Sequence, residues 1–276
     1  MSVLRLFLLF SSAIRSDAAQ LPPSEAQNLI ELICPGEAGA SSCAVCPQGM
    51  AFSDQRWGLR SITFGHFVSA GSEDALISGF GCESHADGDS GSFLLSKDGS
   101  WRKVRYLQGM NAFHCKKLTG SDSRDCLVCA SDDMHFGVAD SFLYLLDPGR
   151  DPATLDPLDD TTRGVSFFAV DDSLGGCVTY PKGFVQSGSI DRVEFAALRA
   201  PHQVRIIVFA RLGKAMVPDG VLKRACESGI PNLKLATVLR RYEFIFNGSK
   251  IAPVRSVGLD QYGDAVAPRT AYSIGK

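Results

Sequence analysis

The sequence predicts an all-β protein, mainly antiparallel, and three observations carry that prediction. From Leu59 onward, short runs of β-branched and aromatic residues are bounded by Gly, Asp and Ser, the signature of strands and tight turns. Two of the breaks, Lys97-Asp-Gly-Ser100 and Phe246-Asn-Gly-Ser-Lys250, contain the Asp-Gly and Asn-Gly pairs that supply the positive φ angles of hairpins. A unit of about fifty residues also recurs, the period at which propeller blades repeat. The chain has 276 residues, enough for one large or two small domains, with an apolar fraction of 45% and a charged fraction of 21% that exclude disorder, collagen and coiled coil. Its 28 basic and 30 acidic residues leave a net charge of −2 with no lysine-rich block, so the electrostatic footprint of a nucleic-acid binder is missing.

Residues 1–18 carry one early positive charge, a short apolar stretch and small residues at Ala18-Ala19, which reads as a cleaved signal peptide and an exported protein, periplasmic or extracellular. No apolar run reaches the roughly 20 residues of a bilayer span, so no membrane span is expected. Residues 19–58 form a lead-in rich in Cys and Pro, with Gln27 to Ile33 long enough for a helical turn or two. Strands are expected at 61–67, 74–78, 92–96, 101–106, 113–118, 125–130 and 141–146. The acidic, Pro-rich stretch 148–164 reads as a loop or linker. A second β-rich half, 165–254, has strands at 165–170, 191–198, 204–210 and 237–246, and a hairpin across Arg199-Ala-Pro-His-Gln203. One short helix is expected near 218–228, with Pro218 at its start and Gly229 past its end. Residues 255–276 read as a tail.

The repeat is visible residue by residue. Ser72-Glu-Asp-Ala-Leu-Ile-Ser78 matches Ser123-Arg-Asp-Cys-Leu-Val-Cys129, and Ser92-Phe-Leu-Leu95 matches Ser141-Phe-Leu-Tyr144, at offsets of 51 and 49. Phe64-Gly-His-Phe67, Asp74-Ala-Leu-Ile77 and Arg124-Asp-Cys-Leu-Val128 resemble the FG-GAP or VCBS repeats that build secreted β-propellers. Gly81-Cys-Glu-Ser-His85 resembles a Gly-Cys-Glu-x-His pattern in secreted bacterial proteins of no assigned function. The resemblance spans residues 59–147 as two FG-GAP-like copies and implies a small propeller-like repeat architecture. A two-sheet β-sandwich built from the same strands is the alternative. FG-GAP repeats hold calcium in an Asp-rich loop. Here the loops read Ser69-Ala-Gly-Ser-Glu-Asp74 and Gly120-Ser-Asp-Ser-Arg-Asp125, which lack most of those ligands.

Nine cysteines behind an export signal favour disulfides, with one left over. Cys177 and Cys226 are the only two in the second half and are each other's expected partners. The Cys-x-x-Cys pairs 43/46 and 126/129 lie too far apart for an ordinary zinc module. Cys126 and Cys129, three apart in a strand, point to opposite faces and need different partners.

Three constellations bear on chemistry. Gly88-Asp-Ser-Gly-Ser92 resembles the nucleophile segment of trypsin-like proteases, but too little chain precedes Ser90 for a first barrel, and a turn into the strand at Ser92 accounts for it. Four of five histidines fall between residues 66 and 135 beside acidic loops. If the copies are adjacent blades, Glu83 and His85 approach Asp133 and His135, a ligand site whose imidazoles and carboxylates suit a divalent cation. No other cofactor is implied. Trp57, Trp101, Tyr106, Phe113, Phe142 and Tyr144 alternate at strand spacing, as core residues do. The expected function is a binding or structural module for an unknown protein or small-molecule ligand. The alternative is a secreted hydrolase, metal-dependent through the His and acid loops or serine-based at Ser90.

Overall fold

The computed structural model describes residues 22–36, 38–39, 41–47, 56–82, 91–107, 112, 114–135, 138–150, 165–178, 184–227 and 232–254. Among these residues thirteen strands lie in three sheets, and in each of them neighbours in space are neighbours in sequence. The chain is all-β and mostly antiparallel, as its turn and strand chemistry predicts. It divides into two compact units, one comprising Ser16–Cys129 with Tyr144–Val165, the other Ala130–Leu143 with Ser166–Thr270.

The first sheet has the order β1 (Ser42–Cys43), β2 (Trp57–Gly65), β3 (Glu73–Phe80), β4 (Ser92–Asp98), β5 (Ser100–Leu107). Asp98 pairs with Ser100 across Gly99, whose φ of 69° is the left-handed conformation that an Asp-Gly pair favours. In the interior of β3 both faces are buried: Ala75 and Ile77 belong to one apolar cluster, while Leu76 between them points the other way and is also fully buried. The helix α1 (Pro23–Ile33) covers the Ile77 face. It is longer than the turn or two its lead-in suggests. Pro23 opens it, Glu25 complements its N-terminus, and Ala26, Leu29, Ile30 and Ile33 form one stripe. Burying Leu29, Ile30 and Ile33 against Trp57, Ile62, Phe93 and Leu95 contributes roughly 2 kcal/mol per side chain. Eleven residues are too few for a stable isolated helix. Pro35 ends it, and the disulfides Cys34–Cys43 and Cys46–Cys82 tie its C-terminal end and the adjoining lead-in to the sheet.

The second sheet has the order β6 (His114–Thr119), β7 (Asp125–His135), β8 (Val138–Leu146), β9 (Val165–Asp172). The segments matched in the sequence overlap β3 and β7, and β4 and β8. β9, the first strand of the expected second half, lies in this sheet. A tight Asp-Gly turn links β4 to β5, whereas the 148–164 stretch separates β8 from β9 in sequence.

The third sheet contains β10 (Phe184–Ala197), β11 (Val204–Met216), β12 (Val238–Phe246) and β13 (Ile251–Val254). Both expected hairpins are present, with Ala197 paired to Val204 and Phe246 to Ile251. Ile206, Val208, Ala210 and Leu212 alternate inward with Tyr242, Phe244 and Phe246. Phe167 and Phe168 of β9 pack on Phe244 and Tyr242 with ring centroids 5.1 and 5.0 Å apart. The short helix α2 (Asp219–Ala225) falls inside the expected 218–228 span, and its Leu222 joins Leu174, Val185 and Val217 around the Cys177–Cys226 disulfide.

One close approach makes the packing of the first sheet testable. A Cβ on Gly79 would stand 2.1 Å from Cε2 of Trp57, because the indole lies directly over this glycine. Gly79→Ala must displace a fully buried tryptophan, and we expect it to cost about 1–3 kcal/mol. In urea unfolding observed by tryptophan fluorescence, the midpoint falls while the slope is unchanged.

Candidate functional site

Asp74 and Asp125, matched in the sequence repeat, are buried carboxylates. Asp74, at 0% exposure, opens the buried part of β3. Its Oδ2 accepts the Val68 N–H at 2.7 Å and the Ser72 hydroxyl at 2.5 Å, closing the turn between β2 and β3 on itself. Asp125, its counterpart at the start of β7, reaches beyond its own copy. Its Oδ2 accepts the His66 N–H at 3.0 Å, its own N–H donates to the His66 carbonyl at 2.8 Å, and its Oδ1 accepts the Thr119 hydroxyl at 3.1 Å. Two cations flank it. Lys117 Nζ donates to the Phe64 carbonyl at 3.0 Å and lies 3.7 Å from Asp125. Arg124 donates from Nη1 to the Phe67 carbonyl at 3.2 Å and grips Asp147 with both terminal nitrogens at 3.1 Å. The segment Phe64-Gly-His-Phe67 is thus clasped by β6 and the start of β7, through main-chain atoms. Gly149 completes the arrangement, since a Cβ there would lie 1.8 Å from the Phe67 carbonyl oxygen.

The sequence candidates fall unevenly on this frame. Glu83, His85 and Ser90 lie outside the described residues. Asp133 and His135 occupy the end of β7, where the main chain alone is described. Of Gly88-Asp-Ser-Gly-Ser92, the described end is structural. Ser92 starts β4, is fully buried and shares a 2.6 Å hydrogen bond with Ser78 Oγ. The Ala112 N–H donates to Ser78 Oγ at 3.0 Å, and the Ser61 hydroxyl donates to the Ala112 carbonyl at 2.9 Å. His66 acts through its main chain, with its ring against the Ser72 carbonyl. His114 is half-buried, and burial followed by the Arg60 cation holds its imidazole below the ordinary range, hence neutral at pH 7. Among the described residues there is no group of three or more His, Cys, Asp or Glu that could hold a metal.

The cysteines resolve into four disulfides and one thiol. Cys177 pairs with Cys226, the expected bond. The Cys-x-x-Cys pairs are not thiolate pairs: Cys43 joins Cys34, Cys46 joins Cys82, and Cys129 joins Cys115. Cys126 is the ninth cysteine, buried and free, with its sulfur against the Leu118 carbonyl at 3.6 Å. Burial, aided by the carboxylates of Asp147, Asp125 and Asp122, pushes its thiol up to about 12.

The outward face of β10 to β12 is a lattice of charge and aromatic surface. The Arg192 guanidinium stands 3.5 Å above the Phe209 ring and bonds Glu194 at 2.9 Å. Asp191, the extra residue of a bulge in β10, meets Arg211 at 2.8 Å, and Glu243 answers both Arg205 and Arg241. Each of these charges has an opposite neighbour.

The clasp and the buried thiol can each be tested. Asp125→Ala leaves the His66 N–H and the Thr119 hydroxyl without their acceptor and Lys117 without its counter-charge, and we expect a loss of about 3 kcal/mol, read as a lowered urea midpoint. For Cys126, the folded state raises the thiol above its ordinary 9.0, so its stabilising contribution is complete below pH 9.0 and disappears toward about 12. Iodoacetamide at pH 8 should leave the folded chain unmodified and label one thiol after unfolding. The alkaline decline in stability should be steeper in the native sequence than in Cys126→Ala. No protein-family model, curated protein or solved structure matches this chain.

Proposed function

We propose that this chain is an exported β-repeat protein of the FG-GAP or VCBS kind that acts as a binding or structural module, not as a catalyst. The observation that carries this reading is the clasp. Both repeated aspartates, the acidic groups most deeply set in the two copies, are committed to holding main chain, one to its own turn and one to the neighbouring copy. A scaffold whose polar interior serves rigidity is suited to presenting its loops to a ligand. Four disulfides support an oxidising compartment outside the cytoplasm. Among the described residues no helix is long and apolar enough to cross a membrane. Glu83 and His85 come after β3, and Asp133 and His135 end β7, its counterpart in the repeat. The proposal keeps these four as candidate ligand groups, with a divalent cation as the simplest ligand they suit.

The test uses the purified mature protein. Metal analysis and reaction with a fluorophosphonate probe are run on the native sequence and on His85→Ala, His135→Ala and Ser90→Ala. The binding reading expects no Ser90-dependent labelling and no hydrolysis of ester or peptide substrates, with or without added zinc or manganese. Labelling abolished by Ser90→Ala would establish a serine hydrolase instead. A zinc- or manganese-dependent hydrolysis lost with His85→Ala and His135→Ala would establish a metallohydrolase.

A further inference from the structure

We propose that Asn247 is a self-modifying site, at which the peptide nitrogen of Gly248 attacks the side-chain amide and converts it to aspartate or isoaspartate. Of the four asparagines in the chain, at 28, 111, 232 and 247, only Asn247 precedes a glycine. It lies exposed at the tip of the hairpin joining β12 and β13. Its Oδ1 is the focus of three donors: the Lys250 N–H at 2.9 Å, the Ser249 N–H at 3.2 Å and the Ser249 hydroxyl at 3.3 Å. Two main-chain N–H groups and a hydroxyl converging on one carbonyl oxygen form the arrangement that stabilises negative charge on that oxygen when its carbon is attacked. The turn is otherwise closed by the Asn247 N–H on the Lys250 carbonyl at 3.1 Å.

The nucleophile is the next atom group along the chain, which makes the attack intramolecular. Gly248 has no Cβ to obstruct the approach, and its φ of 95° belongs to a conformational region that glycine leaves and enters without penalty. Deprotonated by base, the Gly248 nitrogen bonds to Cγ of Asn247, placing negative charge on Oδ1 within its three donors. The Cγ–Nδ2 bond then breaks, and the nitrogen departs as ammonia after taking up a proton. Water opens the resulting five-membered imide at either carbonyl, giving Asp or isoaspartate. One water is consumed, one ammonia is released and one negative charge is gained. In the iso form an extra methylene enters the main chain directly beside the Phe246–Ile251 pair, so modification loosens the attachment of β13.

The experiment monitors deamidation at position 247 by peptide mass mapping of the full chain held in mildly alkaline buffer. Four samples are compared: the folded native sequence, the same protein unfolded in urea with disulfides intact, and folded Ser249→Ala and Ser249→Thr. The expected result is faster conversion in the folded protein than in the unfolded one, with Ser249→Ala slowing it about fivefold, the rate equivalent of one ordinary hydrogen bond. Ser249→Thr, which keeps the hydroxyl, should retain the native rate. Slower conversion in the folded protein than in the unfolded chain, or a Ser249→Ala rate equal to the native one, overturns the proposal. The threonine variant separates loss of the hydroxyl from disturbance of the turn.

Discussion

A buried carboxylate on a neighbouring main chain is the interaction on which the repeat region depends. Asp125 is 4% exposed, so its charge must be answered locally or its burial would cost several kcal/mol. The answer comes from the His66 N–H, the Thr119 hydroxyl and Lys117. Because His66 also accepts the Asp125 N–H, the two residues exchange two hydrogen bonds across 59 positions of sequence. This fixes where the β2–β3 turn sits relative to the start of β7. Arg124 and Lys117 extend the same contact to the carbonyls of Phe67 and Phe64. None of these acceptors requires a particular side chain at the clasped positions, although Gly65 has little room to be anything else, its Cβ position lying 2.8 Å from the Phe67 ring and 3.0 Å from Asp125.

The two matched aspartates both hold the β2–β3 turn, Asp74 from β3 and Asp125 from β7. Asp74 turns inward on Val68 and Ser72, within its own turn. The apolar stripe of α1 covers one face of the first sheet, and two disulfides tie its exit and the adjoining lead-in to that sheet. Copy two holds its first two strands together with Cys115–Cys129 and carries the clasp. The disulfides thus reinforce buried clusters, at a helix too short to persist alone and at strands joined by a short turn.

Much of this architecture was legible because its determinants are local. Hairpins at Asp98-Gly99 and Asn247-Gly248 result from turn chemistry alone, and strand positions from alternation and bounding glycines. Cys177–Cys226 was legible by elimination within one half of the chain. The place of β9 in the sheet of β6 to β8 was not, because strand pairing across the 148–164 stretch is a non-local event that no turn signal marks. The full length of α1 was obscured by Pro22-Pro23 and Cys34-Pro35, which read as breakers but serve as its start and stop. The repeat alignment already placed Asp74 opposite Asp125. That alignment could not show that one serves its own turn and the other its neighbour, since their partners are mostly main-chain groups and leave no mark in side-chain identity.

The odd cysteine illustrates how strand geometry sets chemistry. Residues three apart on β7 face opposite ways, so Cys126 and Cys129 cannot close on each other, and only Cys129 faces the Cys115 side. Exchange between Cys126 and the nearby disulfide would need a thiolate, and burial among Asp122, Asp125 and Asp147 disfavours that charge. The same carboxylates that build the clasp and its anchor therefore protect the disulfide map of the second copy from the one thiol able to scramble it. Removing Asp125 would relax both constraints together, because the group that organises the main chain also contributes to the field that keeps Cys126 protonated.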